Sequence, residues 1–167
     1  MIETSSLAER LRGIHYSGPI RLHAIIQKPA VGVHVRVEEA VVEEGVGLTG
    51  DHEKKDWWKG KRIPEREVTA ISREVMDALG TAVDVPGDNI VVEGLDLRAL
   101  KPGSLVRIGP SVVLKRAEKI HRPCELFARR ISEEARQAVF ELELRGALFS
   151  VVSGGKLSCG DTLSILD

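Results

Sequence analysis

Glycine and proline punctuate this chain so often that its β-favouring runs must be short. Sixteen glycines and seven prolines are spread over 167 residues. Between them lie runs such as "IRLHAIIQKP", "VGVHVRVEEAVV", "REVTAI", "SLVRIG", "SVVLKRAE", "ALFSVV" and "GDTLSIL", which have the composition and spacing of strands. Helical signals are fewer. Ser5 or Ser6 caps a short helix through Leu7, Ala8 and Leu11 that Gly13 ends. Ser72 caps one through Val75, Met76 and Leu79 that Gly80 ends. Ser132 caps one carrying Ala135, Val139, Leu142 and Phe140. Many short strands with glycine-rich turns and two or three helices predict a mainly β domain, a closed or nearly closed β-barrel with small helical decorations. The barrel is predicted over residues 20–167, with residues 1–19 as a helical appendage.

Within that frame, Val33, Val35 and Val37 alternate with His34, Arg36 and Glu38, which predicts a half-buried strand with His34 facing solvent. The shift at Glu38-Glu39 predicts a bulge or bend. "ALFSVV", the turn "SGGK" and "GDTLSIL" predict a terminal hairpin. The segment Glu43 to Arg66 is long, irregular and glycine-rich, and such loops are often functional.

Composition narrows the partners. The net charge is −1 and the pI near 6.5, so there is no global field for nucleic acid or an anionic membrane. Arg129-Arg130 and the run Lys59 to Arg62 read as solvated surface. No apolar run reaches membrane-spanning length, and the polar start lacks the core of a signal peptide. The two cysteines, Cys124 and Cys159, have neither disulfide-framework nor metal-finger spacing. A cytoplasmic protein with free thiols is the expectation.

Four features bear chemistry. Cys124 stands in "HRPCELFARR", at a turn or the first turn of a helix, near guanidinium groups. A thiolate there serves as nucleophile, persulfide carrier or soft-metal ligand, whereas a buried Cys is simply a small hydrophobe. Cys159 in "KLSCGD" reads as an ordinary strand-edge residue. Asp51-His52 in "GLTGDHEKKDWW" binds metal, orients a proton transfer or stabilises a turn. Asn89 in "PGDNI" holds a ligand through its amide or bonds neighbouring backbone. Trp57 and Trp58 offer an aromatic wall.

Taken together and in order, "GLTGDHE", "REVTAIS.E", "PGDNIVVEGLDLRALKPGSLVRIG", "RPC" and "GGKLSCGD" resemble the MOSC domain family, named for molybdenum cofactor sulfurase C-terminal domains. The similarity runs from Ile20 to about Leu166. It departs from the family pattern at Asp88, where a Glu is common, and at Glu67, where a neutral Gln is common. The resemblance implies a barrel like that of pyruvate kinase. It implies that Cys124 is a molybdenum ligand or sulfur carrier, with Arg66, Asp88, Asn89, Arg122, Asp51 and His52 around it. One implied activity is a molybdenum-cofactor-dependent reduction of N-hydroxylated small molecules. There Arg66 and Arg122 hold the pterin phosphate, Asp51 or His52 supplies a proton, and a separate electron-transfer reductase is needed. A second is persulfide transfer on Cys124 from a cysteine desulfurase. A third is a non-catalytic barrel that binds a small anion or a protein.

Overall fold

The computed structural model describes residues 6–53, 60 and 63–166. The expectations for Ser5, for Trp57 and Trp58, and for Lys59, Lys61 and Arg62 lie outside these residues. The elements are α1 (Leu7–Arg12), β1 (Arg21–Ala30), β2 (Val33–Val37), β3 (Glu39–Glu43), β4 (Gly47–Leu48), β5 (Val68–Ser72), α2 (Arg73–Leu79), β6 (Ile90–Glu93), β7 (Leu105–Ile108), β8 (Val112–Arg116), α3 (Glu125–Arg130), α4 (Glu133–Glu141), β9 (Ala147–Ser153), β10 (Gly155–Ser158) and β11 (Leu163–Leu166). No helix of the described residues is long and apolar enough to cross a membrane.

The protein is mainly β with small helices, but the expected barrel is not formed. One mixed sheet has the order β11-β7-β8-β9-β5-β6-β1-β2, and a second holds β10-β3-β4. Both are open. The start of β1 meets the 160–163 turn only through an isolated Arg21–Thr162 bridge and a few backbone bonds, including Leu22 N–H to Asp161 O at 2.8 Å. Closure is lost for two physical reasons. Among the described residues β2 has no partner beyond β1, and the chain after it leaves for the second sheet. In addition, α2 joins β5 to β6 as a parallel pair, and the helices cover that face instead of further strands.

The central strands bury both faces. Leu22 and Ile25 of β1, Val68 and Ala70 of β5, and Ile90 and Val92 of β6 enter a core shared with the small sheet. Ala24, Ile26, Ile71 and Val91 turn the other way, towards Leu7, Leu11, Val75, Met76, Phe127 and Val139 of the helices. Leu22 and Ala24 would share a face in a regular strand. The register shift between them in the β1–β6 ladder sends them to opposite cores.

The helix boundaries follow their local signals. Ser6 and Glu9 form a reciprocal capping box on α1. Ser132 Oγ accepts from Ala135 N–H at 3.0 Å to open α4, and Gly80 ends α2 in a left-handed conformation. Ser72 precedes α2 but makes no side-chain cap; its hydroxyl donates to Leu95 O at 2.9 Å.

Two strand expectations are overturned. The terminal hairpin does not form: β9 pairs with β5 and β8, β10 with β3, and β11 with β7. At Gly154 the chain crosses between sheets. A Cβ there would stand 2.5 Å from Val42 O, so the close approach that permits the crossing excludes a side chain. In β2 only Val37 packs against the core. Val33 and Val35 are exposed, while His34 is half-buried. Among the described residues this edge strand pairs with β1 alone, and what lies over its histidine side is the 84–87 turn.

Gly146, just before β9, has φ +112° and lies where an added Cβ would stand 1.9 Å from Ala70 O. Gly146→Ala therefore combines backbone strain with overpacking, and a loss of about 2–4 kcal/mol is expected. Urea unfolding of the variant measures it.

Candidate functional site

β1, β5, β6 and β9 have polar residues at or just beyond their ends, and these ends converge. Lys28 closes the buried part of β1, Thr69 is the second residue of β5, Gly87 to Asn89 lead into β6, and Arg145 precedes β9. With α3 and the β1–β2 hairpin they enclose an open cleft of about 360 Å³. Its wall includes Lys28, His34, His52, Arg66, Thr69, Gly87, His121, Arg122, Cys124, Arg130 and Arg145. No Asp or Glu stands in the wall among the described residues. A concave, partly apolar surface carrying this many cations concentrates positive potential and suits an anionic ligand.

The acidic and amide groups lie behind the wall. Asp88 has no exposed surface and accepts from Arg145 Nη1 at 2.6 Å. Burial alone would raise its pKa. The Arg145 guanidinium beside it, together with His121 and Lys28, outweighs that and holds it below the usual carboxylate range. The same guanidinium lies 5.1 Å from the centre of the Phe127 ring, so Arg145 is fixed from two sides.

Asn89 is also fully buried. Its Oδ1 accepts from Thr69 N–H at 3.1 Å and its Nδ2 donates to Asp51 Oδ2 at 2.7 Å. Asp51 Oδ1 accepts from Lys28 N–H at 2.7 Å. Both Asp51 oxygens therefore tie the glycine-rich loop to β1 and β6. His52 follows, with its backbone N–H on Lys28 O at 2.9 Å, and lines the cleft.

Cys124 is exposed and forms the N-cap position of α3. Pro123 keeps the preceding backbone extended, which leaves the thiol at the cleft wall rather than inside a helix. Arg122 also lines the cleft and lies 5.7 Å from the centre of the Phe140 ring. Cys159 is half-buried; its sulfur lies 3.6 Å from Val37 O, and burial pushes its pKa up.

Of the residues singled out from sequence, Cys124, His52, Arg66 and Arg122 share the cleft wall. Asp51, Asp88 and Asn89 stand behind it as supports. Glu67 does not face this cleft: it accepts from Val151 N–H on β9. His34, expected in solvent, lines the cleft with Nδ1 2.6 Å from Asp84 O. Arg130, read as surface, donates to Pro86 O at 3.1 Å and lines the cleft. Together His34 and Arg130 clamp the turn at Gly87, whose φ is +85° and where an added Cβ would meet the His34 ring at 2.7 Å. Lys28, His121 and Arg145 were not placed in the site from sequence. Only His121 carried a local signal, its position three residues before Cys124.

His121 is 6% exposed. Burial, then Arg145, lowers its pKa to about 3, with Asp88 opposing. Folded His121 thus stays neutral at pH values where an unfolded histidine, with a pKa near 6.5, takes a proton. The neutral form's contribution is complete above pH 6.5 and is lost as pH falls from there towards 3. The expected slope approaches about 1.4 kcal/mol per pH unit in that window. Urea midpoints at several pH values measure it, and His121→Gln flattens the dependence.

A family model for the MOSC domain matches residues 53–164. The fold is similar to that of the YuaD protein from Bacillus subtilis, with TM-score 0.69, 21% identity, and coverage of 89% of this chain and 97% of that one. It is also similar to YiiM from Escherichia coli, with TM-score 0.64, 20% identity, and 89% and 71% coverage. YiiM from Geobacillus stearothermophilus gives TM-score 0.65, 16% identity, and 89% and 76% coverage. No curated protein matches the chain. These structural likenesses carry the fold, while the family model spans more than half of the sequence, and on that ground the chain belongs to the MOSC domain family.

Proposed function

We propose that this protein binds the molybdenum cofactor in the cleft and reduces N-hydroxylated small molecules with electrons from a separate reductase. The observation that carries the reading is the exposed Cys124 thiol on the wall of a cleft lined by Lys28, Arg66, Arg122, Arg130 and Arg145 and by no carboxylate among the described residues. The donor set fits the group. Guanidinium forks suit a phosphate, a thiolate is a soft metal ligand, and about 360 Å³ falls in the range of small-molecule and cofactor pockets. When bound, the cofactor supplies two-electron redox chemistry at its metal.

The chain's own residues do the rest. Arg66 and Arg122 hold the phosphate. Cys124 ligates the metal. The Asp51–Asn89–Thr69 network keeps the glycine-rich loop, and with it His52, against β1. MOSC domains as a family are associated with this cofactor; its binding by this chain is the proposal.

The test is to purify the protein from a host that makes the cofactor and measure molybdenum and pterin separately. The expected result is both in equal amounts, with Cys124→Ser losing most of the molybdenum and Arg66→Ala with Arg122→Ala losing pterin at least tenfold. Wild-type protein free of both, with no hydroxylamine or amidoxime reduction, overturns the reading.

The exposure of Cys124 also favours a second reading, a sulfur carrier. The Cys124 thiolate would attack the outer sulfur of a desulfurase persulfide. A new S–S bond forms on Cys124 and the desulfurase thiolate leaves. Mass spectrometry after incubation with a cysteine desulfurase and cysteine should then find one added sulfur on Cys124. Unmodified Cys124, or sulfur on Cys159 instead, rejects it.

A further inference from the structure

Asp88 and His121 are both buried, at 0% and 6% exposure, and each has a polar atom without a hydrogen-bond partner. The two atoms face one another. His121 Nδ1 lies 3.8 Å from Asp88 Oδ1, beyond hydrogen-bond distance. Asp88's other oxygen is held by Arg145. Buried polar atoms are nearly always paired, so a carboxylate oxygen and a ring nitrogen unsatisfied side by side among the described residues call for a role. His121 also lines the cleft and, on its other side, a groove of about 220 Å³ with Arg122, Phe140, Glu141 and Glu143.

We infer that an anion entering the cleft recruits a proton onto His121, and that Asp88 receives and positions the charged imidazole, making His121 the proton donor of this site. This rests on the anion-binding reading above. The groups that act on the ring are Arg145, Arg66 and Lys28, which disfavour its charge, and Asp88, which favours it. His34, His52, Arg122 and Arg130 share the cleft wall, and Glu141 and Glu143 face the groove.

Burial is the largest cause of the ring's neutrality and Arg145, Arg66 and Lys28 add to it; an anion seated among these cations cancels their share and adds an attraction for the charged ring. The ligand also excludes water, which works against charging. A dianion in contact with those cations outweighs that, because it acts within a few ångströms of the buried Lys28, Arg145 and His121 side chains. The proton comes from solvent and ends on the imidazole, which goes from neutral to +1; no electron moves. Nδ1–H then has Asp88 Oδ1 to bond, and the other ring nitrogen carries a proton to give to a bound group.

Inorganic sulfate is the probe, since it does not itself titrate in this range and any proton taken up belongs to the protein. Calorimetric titration at about pH 5.5, in two buffers of different ionisation enthalpy, counts that proton. The expected result is uptake in the wild type, with affinity rising up to about tenfold per unit fall in pH. In His121→Gln, sulfate still binds but the uptake is lost. As a measurement that needs no variant, the His121 ring resonances of wild-type protein should move to their protonated positions as sulfate is added at fixed pH. Sulfate binding without uptake, or uptake unchanged in His121→Gln, overturns the inference and leaves the anion site standing. No sulfate binding at any pH overturns both.

Discussion

The arrangement of the cleft depends on one buried ion pair. Asp88 sits in the turn before β6 and Arg145 in the approach to β9, 57 residues apart in sequence, and they meet at 2.6 Å with almost no solvent around them. Such a pair adds little net stability over an apolar replacement, but it is costly to break, because either partner alone is an uncompensated buried charge. Its value is geometric. It holds a cation in the cleft wall, one that adds to burial in keeping His121 neutral, and requires the 86–89 turn and β9 to stay in register with Ala70 between them.

Around that pair the protein separates support from surface. Asp51, Asn89 and Thr69 spend their polar atoms on one another and on backbone. Groups tied down in this way do not need to contact a ligand to matter; they decide where His52, Lys28 and Gly87 stand. The exposed groups Cys124 and Arg122, and the half-buried Arg66, are what remains available for chemistry. The contrast between the two thiols follows from the same division. Cys124 begins a helix at the cleft wall, whereas Cys159 packs against the main core beside Val37.

Much of the local structure was legible because it depends on near neighbours. Ser6 with Glu9, Ser132 with Ala135, and Gly80 after Leu79 mark helix ends by interactions within a turn or two. The errors came where strand partners are distant. A valine alternation looks the same whether its inner face meets a core or a solvent edge. β2 is an edge whose histidine side meets the 84–87 turn, so the reading of Val33 and Val35 reversed. The glycines of "SGGK" signal a reversal of the chain, and they serve here to pass it from one sheet to the other.

By itself the sequence determined most helix ends and strand runs, the family markers and a cysteine at a turn or the start of a helix, since each of these is written within a few neighbouring residues. The tertiary structure alone decided that the sheets stay open, that Lys28 and Arg145 join Arg66 and Arg122 at one cleft, and that Asp88 and His121 face each other unsatisfied beneath it. Those outcomes depend on which strands pair and how their ends converge. Strand pairing is settled by the burial of two opposite faces of β1, β5 and β6 at once, a condition that no local stretch of sequence can express.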